Sequence, residues 1–183
     1  IAAIMGHRIS STFIANVSGM DESEIQSLLP ALIGQGFLSE ISEDIAKYAI
    51  IGSPKLAEKI YEQIQIKLRQ LIHEEIAKQL EKNLSEHNVA EVAHHYWCSQ
   101  HKKKALKYLI EAGDACEKQY VYNRAVQHYE QALEIAQQKS LNEQILNLLA
   151  RIGYIYSLSS QYDKAWEYYN RGLELAQTKE EKE

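Results

Sequence analysis

From residue 54 to the end, apolar residues recur every three to four positions with polar residues between, the pattern of amphipathic helices. The segments 55–84, as one helix or two, then 87–100, 102–120, 122–138, 141–159 and 162–178 all read this way, joined by short polar turns. Such turns make consecutive helices antiparallel neighbours. Only Pro30 and Pro54 interrupt the chain.

Before residue 54 the period changes. A short helix at 11–17 is followed by a Ser18-Gly19 turn. Asp21 then stands as the cap of a second helix, with Glu24 placed for a capping box and Ile25, Leu28, Leu29 and Leu32 on one face. Gly34 and Gly36 mark its end. Alternation of period two then predicts strands at 37–41 and 47–51 around a Ser42-Glu43-Asp44 turn. Gly52, Ser53 as N-cap and Pro54 at the first helical position lead into the next helix. Helix, helix and β-hairpin is the order of a winged-helix module.

An internal repeat sets the architecture of the C-terminal half. Ala125, Tyr129, Ala132, Leu133, Ala136 and Gln137 return forty positions later as Ala165, Tyr169, Gly172, Leu173, Ala176 and Gln177. Upstream, Tyr122 matches Tyr162, Gly113 matches Gly153 and Leu109 matches Leu149. Gly113 and Ala125, like Gly153 and Ala165, are small enough for two helices to approach closely. Tyr129 with Leu133, and Tyr169 with Leu173, supply bulk toward the next hairpin. A helical hairpin cannot bury both of its faces alone, so such units stack. The spacing of Gly113, Ala125, Tyr129 and Ala132, and of Gly153, Ala165, Tyr169 and Gly172, resembles the tetratricopeptide repeat. The period departs from it, at forty where the common form has thirty-four, and the excess is expected to lengthen helices around 137–146.

Composition narrows the function classes. With 45% hydrophobic and 25% charged residues, the 183-residue chain can bury a core. Its net charge of −5 argues against nucleic acid, which needs a concentrated basic surface. In the first sixty residues Arg8, Lys47, Lys55 and Lys59 are outnumbered by Asp21, Glu22, Glu24, Glu40, Glu43, Asp44 and Glu58. Two cysteines, Cys98 and Cys116, are too few for a disulfide framework and suit a reducing cytoplasmic location. No apolar run approaches the ~20 residues that span a bilayer, and the start has no secretion-signal pattern. Opening in mid-pattern and closing in a charged run at 179–183, the chain reads as a segment of a longer protein.

Candidate chemistry is sparse. No phosphate-binding Gly-x-x-x-x-Gly-Lys-Ser/Thr loop, nucleophile elbow or zinc-type cysteine pairing occurs. His94, Cys98 and His101 fall at i, i+4 and i+7 and could offer metal ligands. The plainer reading packs His94 and Cys98 into neighbouring helices and leaves His95 and His101 solvated. Lys102, Lys103 and Lys104 read as a solvated helix start, and most of the twelve tyrosines as packing residues. No catalytic, cofactor or metal residue is therefore assigned.

A longer order is also visible. Tyr61, Arg69 and His73 precede His94, His95 and Tyr96, followed by Ala105, Tyr108 and Ala112-Gly113-Asp114-Ala115. With an Ala-x-Ile-x-Gly start at 2–6, this order resembles the region after the nucleotide-binding module in STAND-class signalling ATPases. Such modules are fused to class III nucleotide cyclases, serine/threonine kinases or LuxR-type regulators. The resemblance implies a winged helix that packs on the ATPase core and repeats that receive a signal, commonly a protein partner. Ser53 stands where members often carry a His, so any contribution of that His is lost here.

The expected fold is mainly α: a winged-helix-like module with a short β-hairpin at 1–53, a helical linker or first hairpin at 54–101, and an α-solenoid of tetratricopeptide-like hairpins at 102–183. The expected function is non-catalytic protein interaction, with no cofactor, no nucleic acid and no membrane. The partner is a protein, a peptide or the ATPase module of the same chain. Repeat register places Lys107, Ile110, Asp114, Glu117 and Lys118, then Asn147, Ala150, Tyr154 and Ser157, along a partner groove. The alternative is a DNA-binding winged-helix regulator with a helical-repeat dimerisation or effector domain.

Overall fold

The computed structural model describes residues 1–5, 9–43, 46–51, 53–85 and 87–180, with side chains described outside 40–51 and 178–180. Gly6, Arg8, Asp44, Gly52 and residues 181–183, used in the reading above, lie outside the described residues. The chain is mainly α-helical, and it divides into two compact units. One comprises residues 1–83 with Cys98–Gln100, the other residues 84–97 with 101–183.

The first unit holds α1 (Ala2–Met5), β1 (Ile9–Ser10), α2 (Ser11–Ser18), α3 (Glu22–Gly34), β2 (Leu38–Glu43), β3 (Ala46–Ile51), α4 (Pro54–Gln63) and α5 (Ile66–Glu81). The strands form an antiparallel sheet in the order β1-β3-β2, with Ile9 opposite Ala49 and Leu38 opposite Ile51. The two-residue β1 was not expected, because so short a strand has no period to read. Ser42 and Glu43 extend β2 and do not form the turn assigned to them. The 55–84 stretch is two helices, broken where Gln65 turns extended (φ −55°, ψ 139°).

Capping in this unit differs from the expectation at two points, the first being Ser53, which holds the N-cap position of α4 but makes no side-chain capping bond. Asp21 occupies the N-cap of α3, yet its side chain makes no capping bond, so the Asp21–Glu24 box is absent. Glu22 is used instead: its Oε1 accepts from Ser11 Oγ at 2.9 Å and Thr12 Oγ1 at 2.7 Å, tying α3 to the start of α2. The hydroxyls hold the Glu22 carboxyl below its ordinary range. Ser10 caps α2 by accepting from the Phe13 amide at 3.1 Å. Ile4, Val17 and Ile76 are buried with Phe13, Tyr61, Ile64 and Ile72 around them. Arg69 and His73 of α5 both address Tyr61 of α4. The guanidinium lies 4.7 Å from the ring centroid, and the hydroxyl is 3.2 Å from His73 Nε2.

The second unit is built from α6 (Val89–Cys98, whose last residue groups with the first unit), α7 (Lys102–Lys118), α8 (Tyr122–Gln138), α9 (Asn142–Leu158) and α10 (Tyr162–Glu180). α7, α8 and α9 have 17 residues each. With their turns they place a new helix every twenty residues, which is the physical form of the forty-residue repeat. The stretch 137–146 holds the end of α8, the α8–α9 turn and the start of α9, so the helices around it take part of the excess but not all of it. The extra residues are instead shared among equal helices.

All three turns use one device. Tyr120 (φ 59°), Ser140 (φ 53°) and Ser160 (φ 57°) are left-handed although none is glycine. At the first, the Val121 amide donates to Cys116 O and the Tyr120 amide to Glu117 O, both at 2.9 Å. The same pair recurs at Leu141 and Ser140, and at Gln161 and Ser160. This is a Schellman closure, which satisfies the last carbonyls of each helix.

Candidate functional site

Between α7 and α9 lies an open groove of about 560 Å³, lined by Asp114, Glu117 and Lys118 of α7, Tyr120 and Tyr122 beside the turn, and Arg151, Tyr154 and Leu158 of α9. Its floor is a polar network around Tyr129, whose residue surface is fully buried. The Tyr129 hydroxyl lies 2.6 Å from Asp114 Oδ1 and 2.9 Å from Glu117 Oε2, so its single proton serves one carboxylate at a time. Arg151 Nη1 donates to the same hydroxyl at 3.1 Å and also pairs with Asp114.

Electrostatics hold Tyr129 neutral and Arg151 charged. Burial, reinforced by the hydrogen bond to Asp114, pushes the Tyr129 phenol far above its ordinary range. For Arg151, desolvation opposes the charge, but the bond to Tyr129 and the field of Asp114 outweigh it and raise its pKa. The guanidinium therefore stays charged at the groove floor, with about a third of its side chain exposed.

Of the expected groove residues, Asp114, Glu117, Lys118 and Tyr154 line this cavity. Lys107, Asn147 and Ala150 are exposed, while Ile110 and Ser157 are half-buried. Among the repeat-packing residues, Leu109, Gly113, Ala125, Tyr129, Ala132, Leu149, Gly153 and Ala165 are buried. Gly172 is half-buried and Tyr169 exposed. Arg151 was missed by sequence reasoning. It follows Asn147 by four positions and precedes Tyr154 by three, so the helical period alone places it on the groove side.

The histidines of α6 are reversed from the expectation. His95 is buried and His94 exposed. The inward arc of α6 is set by Val89, Val92, Ala93 and Tyr96, and the 100° step between residues carries His94 to the opposite side. His101 lies beyond the end of α6, as the residue before α7, so it does not share a helix face with His94 and Cys98.

A second cavity of about 490 Å³ is lined by Ala90, His94, Leu109, Gln127, His128, Glu130, Gln131 and Glu134. His128 Nδ1 is enclosed there without a hydrogen-bond partner among the described residues. Burial, then the Arg124 charge one turn earlier, lowers the His128 pKa, and desolvation of the His94 ring where it lines the cavity lowers its pKa although part of the residue is exposed. The folded state thus takes up protons after the unfolded state does, and stability falls as pH drops through the ordinary histidine range. Melting temperatures measured from pH 7.5 to 5.5 should fall more steeply for the wild type than for His128→Gln. Parallel curves would reject that role for His128.

No protein-family model matches the chain, and no curated protein matches it. Among the described residues no helix is long and apolar enough to cross a membrane.

Proposed function

We propose that this chain is the regulatory interaction segment of a larger cytoplasmic signalling ATPase of the STAND type. It has no catalytic step of its own and binds a protein or peptide through the α7–α9 groove. The observation that carries this reading is the strict phasing of α7 to α10 with polar, accessible side chains between the first helices of two hairpins. Helices of equal length in α7, α8 and α9, joined to each other and to α10 by identical closures, suit a tetratricopeptide-like α-solenoid, whose first helices present one continuous surface. Charges of both signs beside Tyr120, Tyr122 and Tyr154 suit a peptide or partner helix with mixed polarity.

Helices α2 and α3 followed by the β2–β3 hairpin, with β1 from before α2 paired to β3, support a winged-helix module in the first unit. The DNA-binding alternative would use α3, whose first turn carries Glu22 and Glu24 after Asp21. That sign repels phosphate, so the module is better suited to packing on protein.

Photo-crosslinking tests the groove. A photoreactive residue at Tyr154 should capture the ATPase module or another purified partner, whereas one at exposed Glu143 should not. Tyr154→Ala with Lys118→Glu should weaken binding by about tenfold or more, as loss of an interface anchor does. Equal capture from both positions, or ATP turnover by the chain itself, would sink the proposal.

A further inference from the structure

The tyrosines of α7, α8, α9 and the first turn fall into two sets. Tyr108, Tyr129 and Tyr156 each lie under a cation of the protein: Lys107 at 4.9 Å, Arg151 at 5.5 Å and Lys164 at 5.1 Å from the ring centroid. Tyr120, Tyr122 and Tyr154 lie under none among the described residues, and all three line the α7–α9 groove. Tyr120 is 78% exposed and Tyr154 49%. The Tyr120 and Tyr122 rings meet edge to face, at 86° with centroids 6.2 Å apart, a contact that uses one face of one ring. Tyr120 also holds a left-handed turn position where the two matched turns have Ser140 and Ser160. A bulky residue is disfavoured there, so its presence points to a use outside the turn.

The groove floor adds a carboxylate in need of a donor. The single Tyr129 proton serves Asp114 or Glu117, and Arg151 pairs with Asp114 in either case. Glu117 has no ion pair among the described residues, so it is the acceptor left short whenever that proton turns to Asp114. The rings and Glu117 favour the same kind of ligand. An aromatic face is the negative side of its quadrupole and attracts a cation, as a carboxylate does. An anionic group would meet both unfavourably, and Arg151 is already engaged by Asp114 and the Tyr129 hydroxyl. Exposed Lys118 remains for an acidic side chain of a partner with mixed polarity.

We infer, resting on the reading of the groove as a peptide-binding surface, that it takes a lysine or arginine side chain of its partner. The charge lies against the rings of Tyr120, Tyr122 and Tyr154 and the Glu117 carboxylate.

Nuclear magnetic resonance signals of isotope-labelled tyrosine rings report on this pocket. N-acetyl-lysine methylamide should shift the signals of Tyr120, Tyr122 and Tyr154 and leave that of Tyr162, likewise exposed but on α10, in place. It should bind about threefold or more tighter than the norleucine analogue, whose chain ends in a methyl group, and should weaken as salt is raised. Tyr120→Leu, which keeps the bulk without the ring, should weaken the lysine analogue about threefold or more at an unchanged melting temperature, and Tyr120→Phe should bind it as before. Lys118→Glu should strengthen the lysine analogue yet weaken the partner. Equal binding of the lysine and norleucine analogues, tighter binding of the glutamate analogue, or a Tyr120→Leu protein that binds lysine as before overturns the inference. A partner captured at Tyr154 that is held equally well after Tyr120→Leu also overturns it, and leaves the groove reading standing. Lysine-specific binding with no partner captured at Tyr154 upholds the pocket and overturns that reading instead.

Discussion

Gly113→Ala is expected to destabilise the second unit by about 2–3 kcal/mol, whereas Gly153→Ala, at the matched position forty residues on, should change stability by less than about 1 kcal/mol. A Cβ at residue 113 would lie 2.3 Å from Tyr129 Cε1 and 2.5 Å from Cδ1. That ring is fully buried, and its hydroxyl is tied to Asp114, Glu117 and Arg151, so it has nowhere to move. A Cβ at residue 153 would meet Tyr169 Cε1 at 2.8 Å, but Tyr169 is 42% exposed and can swing outward. There the gain of about 1 kcal/mol in helix propensity offsets the displacement. Thermal unfolding followed by circular dichroism should separate the variants, because about 1 kcal/mol shifts the midpoint of a unit this size by about 4–8 °C. In a Tyr129→Ala background the Gly113→Ala penalty should disappear, since the ring it strikes is gone. Equal losses at the two glycines would show that the repeat positions are packed alike, contrary to the structure.

This contrast also shows what could be read from the sequence. The forty-residue return of Gly113, Ala125 and Tyr129 was enough to pair the right helices, because small and aromatic residues at fixed spacing leave few ways to pack. It could not show that one tyrosine is covered and the other open, which depends on whether a helix follows in space. The turns were legible as breaks but not as left-handed closures, since Tyr120, Ser140 and Ser160 carry no glycine signal. Glu22 was hidden because its hydroxyl partners stand on the preceding helix, ten and eleven positions earlier. Arg151 was overlooked for a related reason. The repeat aligns it with Glu111, an opposite charge, so it does not register as a repeated feature, and its partner Asp114 lies 37 positions away. Pairings that arise from the fold leave no local pattern.

Removing only the oxygen at the centre of that network gives the second large effect. Tyr129→Phe should cost about 1.5–3 kcal/mol, the range for a hydrogen bond to a charged group. The hydroxyl is the one group that both accepts from Arg151 and donates to Asp114 or Glu117. Without it, the two carboxylates face each other with only the Arg151 charge between them. Partial exposure of Arg151 and Asp114 lets solvent screen that repulsion, which favours the lower end of the range. The alkaline limb supplies an independent check. Because the folded phenol is held far above its ordinary range, its contribution is fully present below about pH 10, the unfolded value, and is lost as pH rises beyond it. Burial raises Tyr156 and Tyr168 as well, so their contributions are lost over the same rise in pH, and the informative quantity is the difference between wild type and Tyr129→Phe. That difference should shrink from pH 9 to pH 11. A gap that stays constant would mean that Tyr129 stabilises the unit through its ring alone and that the groove floor does not depend on its proton.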